Sequence, residues 1–342
     1  MKTDPQLISQ NSVSVDDAVK SKQLILKKRK LLNMNIINNT NKIRIKIAHK
    51  ILNFLSYFTN VRGTTFFQNK IIKFLIPSLH GLVISPTLYG VNLLVNVDDY
   101  IGKMIYYFGE YETNILKFLK YALCKGDIFF DIGAYIGDIS CIASKFVGNK
   151  GIVYAVEPVP DHYKILRSNI YLNNLKNITT FNLALGNRNA VENIYIKKDN
   201  NRGADSLIYT HNSIKTDLKI KVTTIDYLIE HQKINVPNVI KIDVEGFELN
   251  ILKGTSKLLK SSEAPILIIE YNTFIPQSSG KTNDIYNFIS TINNYSIYKF
   301  HIQKRRLYKI YKEEELPKFC NLFCFLDSHI NKLKKKQKLK AF

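Results

Sequence analysis

Cysteine is scarce in this chain, with four in 342 residues and no dense spacing. That excludes a disulfide framework and predicts a reducing compartment. Cys320 and Cys324 fall on one face of a late strand but lack the two further ligands a zinc site needs. An unbroken membrane-spanning run is also missing. Residues 74–97 carry no charge, yet Pro77, Gly81, Pro86 and Gly90 interrupt them, and 82–84 and 93–95 read as two short strands. Met1 is followed by polar residues rather than an apolar signal core, so the expected location is cytoplasmic, with at most peripheral contact to a membrane. The basic runs at 27–30 and 334–336 have no neighbouring aromatics to stack on bases, which argues against specific nucleic-acid binding.

Acidic residues are few, 28 against 49 Lys and Arg, and the shortage is local. Residues 1–80 hold fourteen Lys and Arg against three acids, and 329–342 hold six Lys and none. The stretch between is nearly neutral. Basic ends of this kind suit an anionic membrane or glycan surface, although AT-rich codon usage and the solubility that charged ends confer account for them better. Residues 1–40 are polar and poorly patterned, which predicts a basic, flexible arm. Ile45, Ala48, Ile51, Leu52 and Leu55 share one face of an amphipathic helix that should pack on its own domain. With a small β/α unit and a helix at 113–123, this forms a lead-in over 41–126, and 329–342 form a basic tail.

What the chain does have is a set of apolar runs ending in acids. The run 128–130 ends at Asp131 and turns through Gly133 and Gly137 into a helix. An acid there with G-x-x-x-G suits a cation, such as the ammonium and sulfonium of S-adenosylmethionine. The second glycine of a pyrophosphate-binding G-x-G-x-x-G is absent. Residues 151–156 end at Glu157-Pro158, 26 residues on, where one carboxylate can accept both hydroxyls of a ribose. Residues 179–184 follow, then 239–242 ending at Asp243 and 265–269 ending at Glu270. Strands alternating with helices at this pitch predict an α/β, mostly parallel, doubly wound sheet with helices on both faces and ligand sites at the carboxyl ends of its strands.

Residues 127–137 (DIFFDIGAYIG), 155–158 (AVEP), 240–248 (IKIDVEGFE), 252–254 (LKG) and 268–270 (IIE), with GEYE at 109–112 upstream, resemble the FkbM family of methyltransferases. The resemblance covers roughly 81–328 and implies a Rossmann-like class I methyltransferase fold over 127–328. It also implies S-adenosylmethionine as cofactor and O-methylation, often of sugar hydroxyls in glycans or glycosylated metabolites. Carried over, Asp131, Gly133, Ala134 and Gly137 hold the methionine moiety, with Glu112 a further contact. Glu157, beside Pro158, takes the ribose, and Asp243 faces the methyl group.

Rival transfers fit less well. The place after the fourth strand lacks the Pro-Pro-aromatic element of amino-directed nucleic-acid enzymes, and neither Cys124 nor Cys141 follows a late strand to serve as a cytosine-directed nucleophile. An oxygen acceptor remains. Its hydroxyl needs alignment and a base, for which Asp243, Glu245 and Glu270 are the candidates, with Glu248 either a further one or a loop-orienting residue. His162, His211 and His231 are lesser candidates. Mg²⁺ on Asp243, Glu270 and Asn272 is a minor alternative, and no metal site is assigned. The step from the third strand to the fourth is twice the usual length, which predicts an inserted hairpin at 187–222. Its loop is either a plain connection or the place for acceptor contacts, with Arg202, Ser206 and Tyr209 the candidates. The alternatives of other classes are a nicotinamide-dependent oxidoreductase and a non-catalytic module that binds anionic surfaces through its ends.

Overall fold

The computed structural model describes residues 39–55, 70, 72, 74–197, 213–231, 233–274, 280–301 and 306–335. The expected arm over 1–40 lies almost wholly outside these residues. The described chain enters through α1 (Asn39–Leu55), an antiparallel pair β1 (Leu82–Pro86) and β2 (Asn92–Asn96), then α2 (Tyr100–Phe108) and α3 (Thr113–Ala122). The uncharged stretch 74–97 is thus largely this β pair, and no described helix is long and apolar enough to cross a membrane. Asp99 caps α2 by accepting from the Gly102 amide, and Gly109 ends it at φ 79°.

The winding follows. It runs β3 (Ile128–Ile132), α4 (Asp138–Val147), β4 (Ile152–Val156), α5 (Pro160–Leu172) and β5 (Ile178–Phe181). A short β6 (Ala184–Leu185) leads into the hairpin of β7 (Ala190–Lys197) and β8 (Ser213–Thr223). The expected third strand at 179–184 is therefore two strands. They break at Asn182, whose amide group turns back to the carbonyls of Glu157 and Pro158. The chain then returns through α6 (Ile225–Glu230), β9 (Val239–Ile242), α7 (Glu248–Lys253), α8 (Ser256–Lys260), β10 (Ile266–Asn272) and α9 (Asn283–Ile292). It closes with β11 (Ser296–His301), β12 (Arg306–Ile310), β13 (Phe319–Phe325) and α10 (Asp327–Lys335). That last helix crosses the expected start of the tail at 329 and buries Leu333.

The main sheet has the order β12-β11-β13-β10-β9-β3-β4-β5. Strands β5, β4, β3, β9 and β10 are parallel, while β13 runs against β10. The chain winds outward from β3 through β4 and β5, then returns to the other side of β3 with β9. That reversal opens a crevice at the carboxyl ends of β3 and β9, the usual ligand position of doubly wound sheets. Side chains alternate along the strands. Phe129, Val153, Ile268 and Phe323 face a core shared with α1 to α5, and Phe130, Tyr154, Ile269 and Leu322 face one shared with α6 to α9. The fold is Rossmann-like, with helices on both faces.

The lead-in is part of this core. Ile45, Ala48 and Leu52 of α1 are buried against it. Ile51, expected on the same face, is instead exposed. The buried stripe is completed on its other side by His49, whose Nε2 meets the Tyr106 carbonyl at 2.8 Å.

Candidate functional site

The crevice is an open cleft of about 560 Å³, counting the part open to solvent. Its walls include Gly133, Tyr135, Glu157, Pro158 and His162 on the β3–β4 side, and Asp243, Val244, Glu245 and Phe247 after β9. Ala184 and Leu185 of β6 join them, so the inserted hairpin begins at the cleft itself.

Glu157 is buried and held by the main chain. Its Oε2 accepts from the Tyr135 amide at 2.9 Å and its Oε1 from the Val159 amide at 2.8 Å. Tyr135 reaches this position at φ 48°, and its ring meets His162 edge-on at 4.6 Å. The turn before it needs glycine for a reason within the protein. Gly133 has φ 79°, and a Cβ there would stand 1.7 Å from the Asp243 carbonyl. A Cβ on Gly137 would meet Leu166 of α5 at 2.3 Å. The amides of Gly133 and Ala134 both donate to the Val156 carbonyl. Gly133 lines the cleft, whereas Ala134 and Gly137 do not.

Below the cleft lies a buried charge cluster built on cross-strand register. Asp131 of β3 stands opposite Lys241 of β9, and Asp243 follows two residues later on the same face. Lys241 Nζ lies 2.8 Å from Asp243 Oδ2 and 3.9 Å from Glu112 Oε2. Glu112 arrives from the start of α3 at φ 50° and also accepts from Asn321 of β13 at 3.5 Å. Ser140 donates to Asp131 Oδ2 at 2.5 Å. Burial would lower the Lys241 ammonium, but Asp243, Glu112 and Asp131 outweigh it and hold the group above its ordinary value.

Crowding displaces the acids. Glu112 is pushed up to about 8 by burial, with Lys241 pulling against that and Asp243 and Asp138 adding to it. Asp138, at the first turn of α4, is pushed up to about 6 by burial and by Asp131. Burial also raises Asp131, against the pull of Lys241 and Ser140. Glu270 reaches about 11 through burial and the charges of Asp243, Glu245, Glu248 and Glu112. Two carboxylate oxygens of the group, Asp131 Oδ1 and Glu270 Oε2, are buried without a hydrogen-bond partner. Such a site gains from a cation.

Other expected residues take different places. Glu248 accepts from the amides of Val244 and Gly246 and so shapes the Asp243–Gly246 turn rather than facing the cleft. His231 stacks on Tyr227 and is exposed, leaving His162 as the expected histidine that lines the cleft. Arg202, Ser206, Tyr209 and His211 lie outside the described residues. Among the described residues no three His, Cys, Asp or Glu side chains gather as a metal-binding set. Lys241 and Asp138 are absent from the expected site. A lysine inside a four-residue buried strand, at period two from a strand-end acid, is the signal that could have found the first.

A Haloferax volcanii protein named hexuronic acid methyltransferase AglP is 30% identical over 151 residues, 44% of this chain and 59% of that protein. A Sulfolobus acidocaldarius protein named as a probable cobalt-precorrin-6B C(15)-methyltransferase (decarboxylating) is 37% identical over 67 residues, 20% of this chain and 35% of that one. The chain spans less than two thirds of the length of either relative. Among solved structures, the precorrin-6y C5,15-methyltransferase of Geobacter metallireducens aligns at 12% identity and a TM-score of 0.36, over 62% of this chain and 86% of that one. The strand-end acids, the turn after β9 and the helix that follows it all fall within residues 131–301. Over that half of the chain the model of the methyltransferase FkbM domain matches, and the protein belongs to the FkbM methyltransferase family.

Proposed function

We propose that this chain is an S-adenosylmethionine-dependent O-methyltransferase acting on a hydroxyl of a sugar, glycan or glycosylated metabolite, in a cytoplasmic setting that suits its four free cysteines. The observation that carries the reading is the crowded set of carboxylates beside a cleft lined by Glu157, Asp243 and Glu245, with two buried oxygens, on Asp131 and Glu270, that lack partners. S-adenosylmethionine matches that donor set with an ammonium, a sulfonium and a ribose diol. When bound, it supplies an activated methyl group on a cationic sulfur.

The residues divide the work. Glu157, fixed by two amides, keeps lone pairs for the diol. Asp131 and Glu112 offer negative charge to the ammonium, and Tyr135, Pro158 and Phe247 give the cleft apolar surface. Asp243 is anchored at one oxygen by Lys241 and has a side chain 24% exposed, so its other oxygen is the one assigned to orient the acceptor hydroxyl and take its proton. Glu245, beside it in the cleft wall, is the second candidate base. Burial and the charges of Asp243, Glu245, Glu248 and Glu112 make Glu270 hold a proton more tightly than an ordinary carboxyl, so it is the candidate base least suited to the role. Alignment of acceptor and methyl carbon is worth about 7–11 kcal/mol of barrier, so positioning outweighs base strength.

A glycan acceptor is supported by the relative named for hexuronic acid. The hairpin loop, with Arg202, Ser206 and Tyr209, is assigned to the acceptor because the hairpin's base adjoins the cleft and a guanidinium suits a carboxylate. The test is incubation with methyl-labelled S-adenosylmethionine and a panel of hexuronic acid and neutral hexose glycosides, with products read by NMR. A methyl ether on a ring hydroxyl is the expected product. A methyl ester, or transfer confined to nitrogen or carbon acceptors, contradicts the reading.

A further inference from the structure

The outer surface of α1 has no part in the site, yet its pattern is unusual for a helix packed on a globular core. Ile45, Ala48 and Leu52 are buried at 0–1% exposure and join the core. On the opposite side Ile43 is 59% exposed, Ile47 48%, Ile51 37% and Phe54 63%. Steps of four, four and three residues place these side chains within an arc of about 80°. Arg44 reaches across to the Phe74 carbonyl at 2.6 Å and brings Phe74, itself 77% exposed, to the same surface. A helix that packs on its own domain needs one apolar stripe, and its outer face is ordinarily polar. Here there are two, and a contiguous exposed patch of this kind marks a contact surface.

We infer that this face of α1 docks on an anionic lipid surface. Charge complementarity selects that occupant. The helix carries Lys42, Arg44, Lys46 and Lys50 and no acidic residue, with Lys46 and Lys50 exposed along one edge of the apolar stripe. Aliphatic side chains that enter the acyl boundary, rimmed by lysines that reach the phosphates, are the pattern of a helix lying in a membrane interface. A second copy of the chain would set these lysines against the same lysines, with no acid on α1 to pair them. Three of the five exposed apolar side chains are isoleucines, which give a nucleic acid nothing to stack on. Residues 1–80 carry the same sign of charge and add to the attraction. The helix is also tied to the site through its inner side. His49 holds the Tyr106 carbonyl and packs where a Cβ on Gly109 would be 2.5 Å away, just before the segment bearing Glu112. Docking through α1 therefore brings that side of the protein to the membrane.

The experiment uses the full chain with vesicles of phosphatidylcholine alone or mixed with phosphatidylglycerol, read by flotation. The chain has no tryptophan, so Phe54→Trp supplies a single fluorescent reporter. The expected result is flotation with the anionic vesicles only and a blue shift in the emission of the introduced indole. Ile47→Ser with Ile51→Ser should weaken binding by at least about tenfold while leaving the melting transition in place. Lys46→Gln with Lys50→Gln should weaken it with the apolar stripe intact. Binding through the basic ends alone would leave the emission unmoved and the isoleucine variant unaffected, and that result overturns the inference. So does an absence of binding, and so does a concentration-dependent dimer that the isoleucine variant abolishes, which would make a second copy the occupant.

Discussion

The two walls of the crevice are both lined with carboxylates, but they are built differently. On the β3–β4 wall the polar groups are tied to the main chain. Glu157 receives two amides, and the turn amides of Gly133 and Ala134 go to the Val156 carbonyl. On the β9–β10 side charge is crowded around one buried ammonium, Glu270 has a buried oxygen without a partner, and the acids are displaced from their ordinary values. One wall is a rigid cradle whose shape does not depend on charge. The other is an electrostatic spring, held by Lys241 and incomplete without a cation. A methyl donor needs the first for orientation and the second for the reacting end.

Breaking the spring should have the largest effect. Lys241→Met leaves buried Asp131 and the partly buried Asp243 and Glu112 without their counter-ion, and should cost about 3 kcal/mol, read as a lower urea midpoint. Adding Glu112→Gln should recover part of that loss. Breaking the cradle comes next. Gly133→Ala drives a Cβ into the Asp243 backbone at a φ of 79° and should cost on the order of 3 kcal/mol. Gly137→Ala meets only the movable end of Leu166 and should cost about 1–2 kcal/mol. Glu157→Gln should weaken nucleoside binding by roughly ten- to a hundredfold, measured by calorimetry, and should cost about 1–2 kcal/mol of stability, because its amide nitrogen would face the N–H of Tyr135 or Val159.

The smallest effect is on pH dependence and sharpens the contrast. Asp138 and Glu112 have folded values raised to about 6 and about 8. Without ligand, their contribution to stability is full at acid pH, below their unfolded values, and is lost as pH rises through about 6 and about 8. A cationic ligand reverses the preference. Its affinity should rise with pH over that window, by at most about tenfold per unit, with proton release visible in buffers of different ionisation enthalpy. Glu112→Gln should flatten the upper part of the curve.

The sequence makes one wall far more legible than the other. Apolar runs that end in acids at a steady pitch give away the parallel sheet and Glu157, because each signal is local. Lys241 reads as an interruption of a buried strand until β9 is known to lie beside β3, which places it opposite Asp131. Gly133 and Gly137 are visible as a motif, but their cause is not, since Asp243 and Leu166 are remote in sequence. The same holds for α1. Its period predicts an amphipathic helix, but which isoleucines face inward depends on where His49 meets Tyr106.

The most direct test of the account is calorimetric titration of the protein with S-adenosylhomocysteine, NAD⁺ and NADP⁺, beside Asp131→Asn, which removes the buried charge at nearly constant volume. The account predicts that S-adenosylhomocysteine alone binds and that the variant binds it at least about tenfold more weakly. Binding of a nicotinamide cofactor, or adenosylhomocysteine affinity indifferent to Asp131, would contradict it.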